Sequence, residues 1–230
     1  MDLIGDIVES DAALSSKLLQ LVNSAFFGLG RRVASAAEAA TLLGFSTLRS
    51  VALAIGALEP TQASDSALNL KLAELRTHSL LTAEVARTLA AAAGLSAHQA
   101  FTLGVLHDIG DLILATTKTK LFDDSRSPDS AAVGSYLLGV WGLPISITEA
   151  VANHHRPRAV EHDRIEQVDI LHVSGILASA AAPNPFENAC DVLDLEHLYS
   201  HDFTAGQWED WKAQAAVVIQ NCSHLPKVGS

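Results

Sequence analysis

His107 and Asp108 stand side by side in an otherwise apolar stretch, residues 104–110, which read GVLHDIG. Burying such polar side chains without partners costs on the order of 2–7 kcal/mol each, so the fold must supply hydrogen-bond partners or a cation. An imidazole nitrogen and a carboxylate oxygen together form a ligand set that suits Zn, Mn or Fe. The pair is therefore either a metal site or a hydrogen-bonded polar pair at a helix break.

Other histidines could join this pair, and each has a structural explanation as well. His78 lies on or beside the apolar stripe of a predicted helix, where a histidine is usually a hydrogen-bonded core residue. His154 and His155 end another predicted helix, and a cationic histidine at a helix C-terminus gains roughly 0.3–1 kcal/mol from the backbone dipole. That gain explains one of the two histidines but not obviously both.

Further segments accompany the pair along the chain: DAAL (11–14), KLL (17–19), LVNSAFFG (21–28), LG (43–44), LR (48–49), WGLP (141–144) and AVANHHRP (150–157). Together with HDIG at 107–110 these segments form a pattern that covers about residues 3–182. In this order they resemble the HDOD domain, the HD-related output domain of bacterial signalling proteins and a relative of the helical metal-dependent phosphohydrolases of the HD superfamily. HDIG by itself is a weak motif, but the ordered set over most of the chain is specific.

The resemblance implies a set of metal ligands. HD enzymes hold their first ion with a histidine, the His-Asp pair and a distant aspartate. His78, His107 and Asp108 match the first three positions. The candidate ligands are His78, His107, Asp108, His154 and His155, with His172 as a weaker one. If the chain were an enzyme, His107 and Asp108 would be its catalytic residues.

The last aspartate of the HD pattern is missing. Its expected place lies within residues 170–175, ILHVSG, and aligns best with Gly175, which offers no side chain. Asp169 is six residues earlier, almost two helical turns away, and could not replace it without a change of register. His172 lies one turn before Gly175 on the same face, but a neutral imidazole cannot offset the charge of a dication.

Features of the HD-GYP phosphodiesterases are also absent from the sequence. Those enzymes place a histidine near the start of one helix, where residues 130–132 here read SAA. Their GYP signature should follow the histidine pair at 154–155, where this chain has Arg156 and Pro157. We therefore expect an eroded centre with no catalytic residue, and no cofactor or at most a single weakly bound divalent transition metal.

The elements that must position these residues are predicted to be helices. Apolar residues recur at helical spacing, and no alternating strand pattern or internal repeat is evident. The expected fold is all-α: a two-lobed helical bundle with an N-terminal helical lobe (1–58), a linker (59–69) and an HD-like helical lobe with a C-terminal helical extension (70–230).

Capping residues predict several helix boundaries. The helix that carries His78 is expected to run from about residue 70 to 93, where Gly94 stops it. Residues 96–99, SAHQ, fit a capping box, and residues 204–207, TAGQ, cap the last helix. Ser127 followed by Pro128 predicts a further helix start.

Composition limits the partners that the chain can have. Its 230 residues carry a formal charge of −11, which argues against non-specific nucleic-acid binding because that binding depends on Lys and Arg. No apolar run approaches 18 residues, and the N-terminus lacks a basic region followed by an apolar stretch, so we expect no membrane contact and a cytoplasmic location. Cys190 and Cys222 are expected to be reduced thiols.

The resemblance and the missing ligands together predict a non-catalytic regulatory module of bacterial signal transduction. Its partners would be signalling proteins or domains, and Asn23, Arg49 and Arg156 are the residues that we assign to partner or ligand binding. The alternative is a metal-dependent phosphohydrolase that acts on nucleotides or cyclic dinucleotides with a nonstandard site. A third hypothesis is a pocket that binds a nucleotide second messenger without cleaving it.

Overall fold

The computed structural model describes residues 66–116, 129–140, 143–181 and 193–222. The chain divides into two compact units, Met1–Glu59 and Pro60–Ser230, and every described residue belongs to the second. Its helices are α1 (Ser66–Ala92), α2 (Ala97–Leu106), α3 (Ile109–Thr116), α4 (Ser130–Val140), α5 (Ile145–Asn153), a 3-10 turn (Pro157–Ala159), α6 (Gln167–Ser179), α7 (Leu195–Tyr199) and α8 (Ala205–Cys222). No strand occurs in these ranges, which confirms the all-α class.

The 27-residue helix α1 is the element on which the others pack. Helices α2, α6 and α8 all lie against it, and Leu75, Val85 and Leu89 on its apolar stripe are fully buried. The helix begins at Ser66, so residues 66–69, which the sequence places at the end of a linker, form its first turn. Ala67 and Leu68 favour helix over linker, and this local preference extends the helix past the predicted start.

A close crossing of α1 and α2 brings their polar residues together. A Cβ atom at Gly104 of α2 would lie 2.3 Å from the Cα atom of Ala83 on α1, so only a hydrogen at this position permits the observed approach. Gly110 of α3 meets α4 in the same way, because a Cβ there would lie 1.9 Å from the carbonyl oxygen of Ser130. These two glycines flank the His-Asp pair, and each allows its helix to pack closely against a neighbouring helix.

The predicted capping residues cap their helices where the structure describes them, but the box at residues 96–99 forms only in part, because Gln99 Nε2 donates to Ser146 Oγ at 3.2 Å. Gly94 has a φ of 72°, the left-handed conformation of a helix stop, and Ser96 Oγ accepts a hydrogen bond from the amide of Gln99 at 3.3 Å. Thr204 and Gln207 cap α8 reciprocally: the amide of Gln207 donates to Thr204 Oγ1 at 3.2 Å, and the amide of Thr204 donates to Gln207 Oε1 at 2.8 Å.

The start of α4 differs from the prediction. Ser127 and Pro128 lie outside the described residues, and the side chain that caps the helix is that of Asp129, whose Oδ1 accepts from the amide of Ala131 at 3.1 Å. Serine and aspartate are equally good caps, and Asp129, which the sequence analysis did not consider, is the residue that caps the helix.

The C-terminal helices complete the core of this unit. Phe203 and Trp211, whose ring centroids are 4.5 Å apart, pack with Leu198 and Ile170 against the C-terminal half of α1. The predicted C-terminal extension is therefore part of the same hydrophobic core as the helices that carry the His-Asp pair. Among the described helices, none combines the length and the apolar character that crossing a bilayer requires.

The crossing of α1 and α2 predicts a specific sensitivity to side-chain size. Gly104→Ala should destabilise the protein by about 1–3 kcal/mol, because the added methyl group meets backbone atoms that cannot rotate away. Gly139→Ala on α4 is the matched control, since a Cβ there meets nothing within 4 Å and alanine favours helix by up to about 1 kcal/mol. Urea unfolding of the two variants measures the difference, and equal midpoints would contradict the proposed packing.

Candidate functional site

Four of the candidate ligands converge in the core. His78 comes from the middle of α1, His107 and Asp108 form the turn between α2 and α3, and His154 follows α5. Their exposed fractions are 0%, 1%, 2% and 5% in that order. Asp108 Oδ2 lies 3.0 Å from Nε2 of His107 and 3.6 Å from Nε2 of His78, while Oδ1 lies 3.9 Å from Nε2 of His154. We call these four residues the HD cluster.

Two of the histidines are oriented by their own helices. His107 Nδ1 donates a hydrogen bond to the carbonyl oxygen of Gly104 at 2.8 Å, and His154 Nδ1 donates to that of Val151 at 2.7 Å. For His154, a proton on Nδ1 leaves the lone pair of the neutral ring on Nε2, which faces Asp108. Nε2 of His107 lies within hydrogen-bond distance of Asp108 Oδ2 and donates to it when the ring is protonated. Within the described chain, Nε2 of His154 makes no hydrogen bond. This arrangement is typical of histidines that ligate metal ions.

The charges of the cluster also suit a cation. Burial raises the pKa of Asp108, but the neighbouring histidines lower it by more. Electrostatic attraction to His107 and a hydrogen bond from His107 contribute most, so the pKa of Asp108 lies well below its usual range. Burial and the neighbouring imidazoles His155 and His107 lower the pKa of His154 to about 3. At neutral pH the cluster therefore presents an ionised carboxylate and a neutral imidazole, the protonation states that metal binding requires.

A second carboxyl group, which the sequence analysis did not single out, lies beside the cluster. Asp111 is in the first turn of α3, and burial followed by repulsion from Asp108 raises its pKa to about 6. The side chain of Ser130 partly offsets this by hydrogen bonding to Asp111. Its position one turn after the His-Asp pair is the sequence signal that could have identified it.

The remaining candidate histidines lie at the edge of the cluster. The ring of half-buried His155 lies 3.7 Å from that of His154, measured between centroids, with the two ring planes tilted by 43°. His172 on α6 donates from Nδ1 to the carbonyl oxygen of His154 at 2.7 Å, and its Nε2 accepts from the amide of Asp194 at 3.4 Å. Both ring nitrogens of His172 thus contact backbone, so this residue positions His154.

Of the residues assigned to partner binding, the structure describes Arg156. Arg156 extends from the surface, with 78% of its side chain exposed, and pairs with Asp129 at 3.3 Å. Asn23 and Arg49 lie outside the described residues. The partner assignment of all three stays a prediction.

Gly175, at the position where the resemblance predicts an aspartate, has free space around it. A Cβ at Gly175 of α6 would meet no heavy atom within 4 Å. The nearest aspartate on this helix, Asp169, is fully buried, and its Oδ2 accepts from the Glu166 amide at 2.9 Å and from His162 Nε2 at 2.8 Å. Its Oδ1 accepts from His197 Nε2 at 2.9 Å. Asp169 is therefore held in a different polar cluster.

This second cluster consists of Asp169, His162, His197 and His201, and we call it the triple-histidine cluster. Partial burial lowers the pKa of His201, but hydrogen bonds to the carbonyl oxygens of His197 and His162 and attraction from Asp169 and Asp163 outweigh it, so the pKa is raised. Sequence reasoning missed the three histidines. The signal available was the spacing of His197 and His201, four residues apart, which places two imidazoles on one side of a helical turn.

Comparison with protein families gives two matches along this chain. The model of the HDOD domain matches residues 1–127, and the model of the HD domain matches residues 75–188. The second match contains all four residues of the HD cluster.

Individual relatives are more distant. An "Uncharacterized protein" of Treponema pallidum (strain Nichols) is 26% identical over a match that covers 67% of this chain, and the chain spans about a third (34%) of that protein's length. A crystal structure named "Putative phosphohydrolase" from Shewanella amazonensis SB2B has 21% identity and a TM-score of 0.57, covering 94% of this chain and 76% of that one. An HDOD domain protein with unknown function from Geobacter sulfurreducens has 18% identity and a TM-score of 0.58, covering 95% and 80%. At these identities the two structures share the fold of this chain.

The pKa of His154 predicts how stability changes with pH. Its folded value, about 3, lies below the usual value of 6.5, so between these pH values the unfolded chain binds the extra proton and stability rises with pH. We expect His154→Gln to flatten this rise by up to about 1.4 kcal/mol per pH unit, the effect of one proton. Urea unfolding between pH 4.5 and 6.5, in chelator, measures the slope.

His98→Gln, which removes an exposed imidazole, supplies the baseline for this comparison. If His154→Gln and His98→Gln gave the same slope, the buried neutral state of His154 would be refuted.

Proposed function

Because this chain belongs to the HDOD domain family, whose model matches residues 1–127 of its 230, we propose that it is a non-catalytic regulatory module of a signalling protein. In this proposal its HD cluster holds at most one weakly bound divalent transition metal ion, and the module acts by binding a protein or a ligand. The family match supports the assignment to HDOD domains, and the carboxylates available at the HD cluster support the absence of catalysis.

The position of Asp169 is the observation that carries the proposal. An HD hydrolase needs an aspartate from the helix that corresponds to α6, and the chain has Gly175 at the matching place. Asp169 cannot replace it, because both of its carboxylate oxygens accept hydrogen bonds from the triple-histidine cluster. The four residues of the HD cluster thus contain one carboxylate, Asp108, and Asp111 beside them is ionised only above a pH of about 6.

One carboxylate limits what the cluster can do. Hydrolytic centres with two ions about 3.5–4 Å apart stabilise the attacking and leaving oxygens together, and they need carboxylates to bridge the ions and offset their charge. Here Asp108 and the neutral His154 offer ligands for one ion, and Asp111 holds a proton up to a pH of about 6. Such a set supports a single ion with modest charge compensation.

The proposed partners are signalling proteins or domains, and a nucleotide second messenger is the other class of ligand in this proposal. The Treponema relative is about three times as long as the part that this chain spans, an arrangement that suits a module joined to further domains. Exposed Arg156, beside the start of α4, is a candidate for such contacts.

The alternative function is a metal-dependent phosphohydrolase acting on nucleotides or cyclic dinucleotides. The observation in its favour is the convergence of His78, His107, Asp108 and His154, with the Nε2 atoms of two histidines held towards the carboxylate. A bound ion would polarise a phosphoryl oxygen and acidify a water molecule. In that case His107 and Asp108 would hold the ion, and Asp111 would be placed to exchange a proton near pH 6.

Hydrolysis assays distinguish the two functions. We expect purified protein loaded in turn with Mn²⁺, Fe²⁺, Zn²⁺ and Ni²⁺ to cleave bis(p-nitrophenyl) phosphate and cyclic dinucleotides no faster than the His107→Ala variant does. Metal-dependent turnover that disappears in His107→Ala would instead establish the phosphohydrolase. Elemental analysis of both proteins, purified without chelator, reports how much metal the cluster retains.

Restoring the lost carboxylate tests why the site is weak. Gly175 lies one turn after His172, which contacts His154, and a side chain at Gly175 has room. Gly175→Asp should therefore raise the affinity of the HD cluster for Mn²⁺ or Zn²⁺ at least tenfold, while Gly175→Asn, of the same shape without the charge, should raise it much less. Isothermal titration measures both. Equal affinities for the two variants would show that the missing charge is not what weakens the site.

A further inference from the structure

We propose that His162, His197 and His201 form a second metal-binding site, separate from the HD cluster, for a divalent transition ion that prefers imidazole, of which Zn²⁺ is the leading candidate. One ring nitrogen from each of the three residues lies within 4.8 Å of the others. The ring centroids are 4.5–5.2 Å apart. This inference is independent of the proposed function, because it uses none of the HD residues.

Two separate parts of the chain supply the three ligands. His197 lies in α7, His201 follows this helix one turn later, and His162 lies between the 3-10 turn and α6. His201 is held between the other two: its Nδ1 donates to the carbonyl oxygen of His197 at 2.7 Å, and its Nε2 donates to that of His162 at 2.8 Å. A metal ion here would join the segment before α6 to helix α7.

Asp169 orients two of the three histidines by accepting hydrogen bonds from their rings. It accepts from Nε2 of His197 at 2.9 Å and from Nε2 of His162 at 2.8 Å. With its proton on Nε2, His197 carries a lone pair on Nδ1, which makes no hydrogen bond within the described chain. A carboxylate behind a histidine whose other nitrogen is available is the usual second layer of a zinc site.

Burial and charge favour an ion at this position. The side chains of His162, His197 and Asp169 are almost completely buried, so a bound ion would be largely removed from water. Imidazole nitrogens suit Zn²⁺, Cu²⁺ and Ni²⁺, and the charge of Asp169 offsets part of that of the ion. Zn–N bonds measure about 2.0–2.1 Å, so the rings must rotate inwards. His162 must release the carbonyl oxygen of Val160, to which its Nδ1 donates at 2.8 Å. His201 must release a carbonyl oxygen and the proton that it donates there.

The cluster is also accessible from solvent. His201 is half-buried and lines a cleft of about 560 Å³ together with Arg164, Asp202, Phe203 and Trp211. An ion can therefore reach the exposed edge of His201, and a water molecule from this cleft can complete a tetrahedral set with three imidazoles.

Metal titrations of the intact chain test the proposal. At pH 7.5 we expect wild-type protein to bind Zn²⁺ by calorimetry, and Co²⁺ by its visible absorption, with one equivalent that survives His107→Ala and is weakened at least tenfold by His201→Gln. His98→Gln, which removes an exposed histidine elsewhere, should bind as wild type. Zn²⁺ should raise the Tm of His107→Ala more than that of His201→Gln.

The outcomes separate this proposal from the one for the HD cluster. Binding that is lost in His107→Ala and unchanged in His201→Gln would overturn the second site and leave the first. A measurement on the wild type alone covers the case of a variant that does not fold. Imidazole ¹⁵N spectra should show Zn²⁺ shifting ring nitrogens of His162, His197 and His201, and the absence of any shift in these three rings would also refute the site.

Discussion

The ionised carboxylate of Asp108, with 2% of the residue exposed, is the constraint around which the described unit is organised. A charge at this depth is stable only if opposite charges or hydrogen-bond donors surround it. Histidines on three separate elements provide that environment: His78, His107 and His154. The close crossing of α1 and α2 at Gly104 lies near these residues. Packing and electrostatic attraction therefore hold the same two helices together.

Two polar clusters of the same kind connect the helices of this unit. In each cluster a buried aspartate is surrounded by histidines, and each cluster links elements that are distant along the chain. Asp108 links α1 to the turn after α2, while Asp169 links the segment before α6 to α7. Such contacts stabilise the fold whether or not an ion is bound. The fold of this unit therefore needs no metal-ligating side chain at Gly175.

Some of the site could be predicted from sequence because its signals are local. His107 and Asp108 are adjacent, and the ordered motifs identify the partners His78 and His154 by family resemblance. The role of His172 could not be predicted, because its contact with the carbonyl oxygen of His154 joins residues 18 positions apart. The triple-histidine cluster was missed for the same reason: Asp169 and His197 are 28 positions apart, and His162 and His201 are 39 apart.

The sequence by itself determined the helical class, the caps at Ser96 and Thr204, and the absence of a carboxylate at residue 175, since residue type and near-neighbour spacing decide these features. Only the tertiary structure decided which carboxylate faces which histidines. Asp169 and Gly175 are almost two helical turns apart on α6. Hydrogen bonds to His162, in the segment before α6, and to His197 on α7 determine the partners of Asp169. These contacts depend on long-range packing, because each one joins segments that are far apart in the sequence.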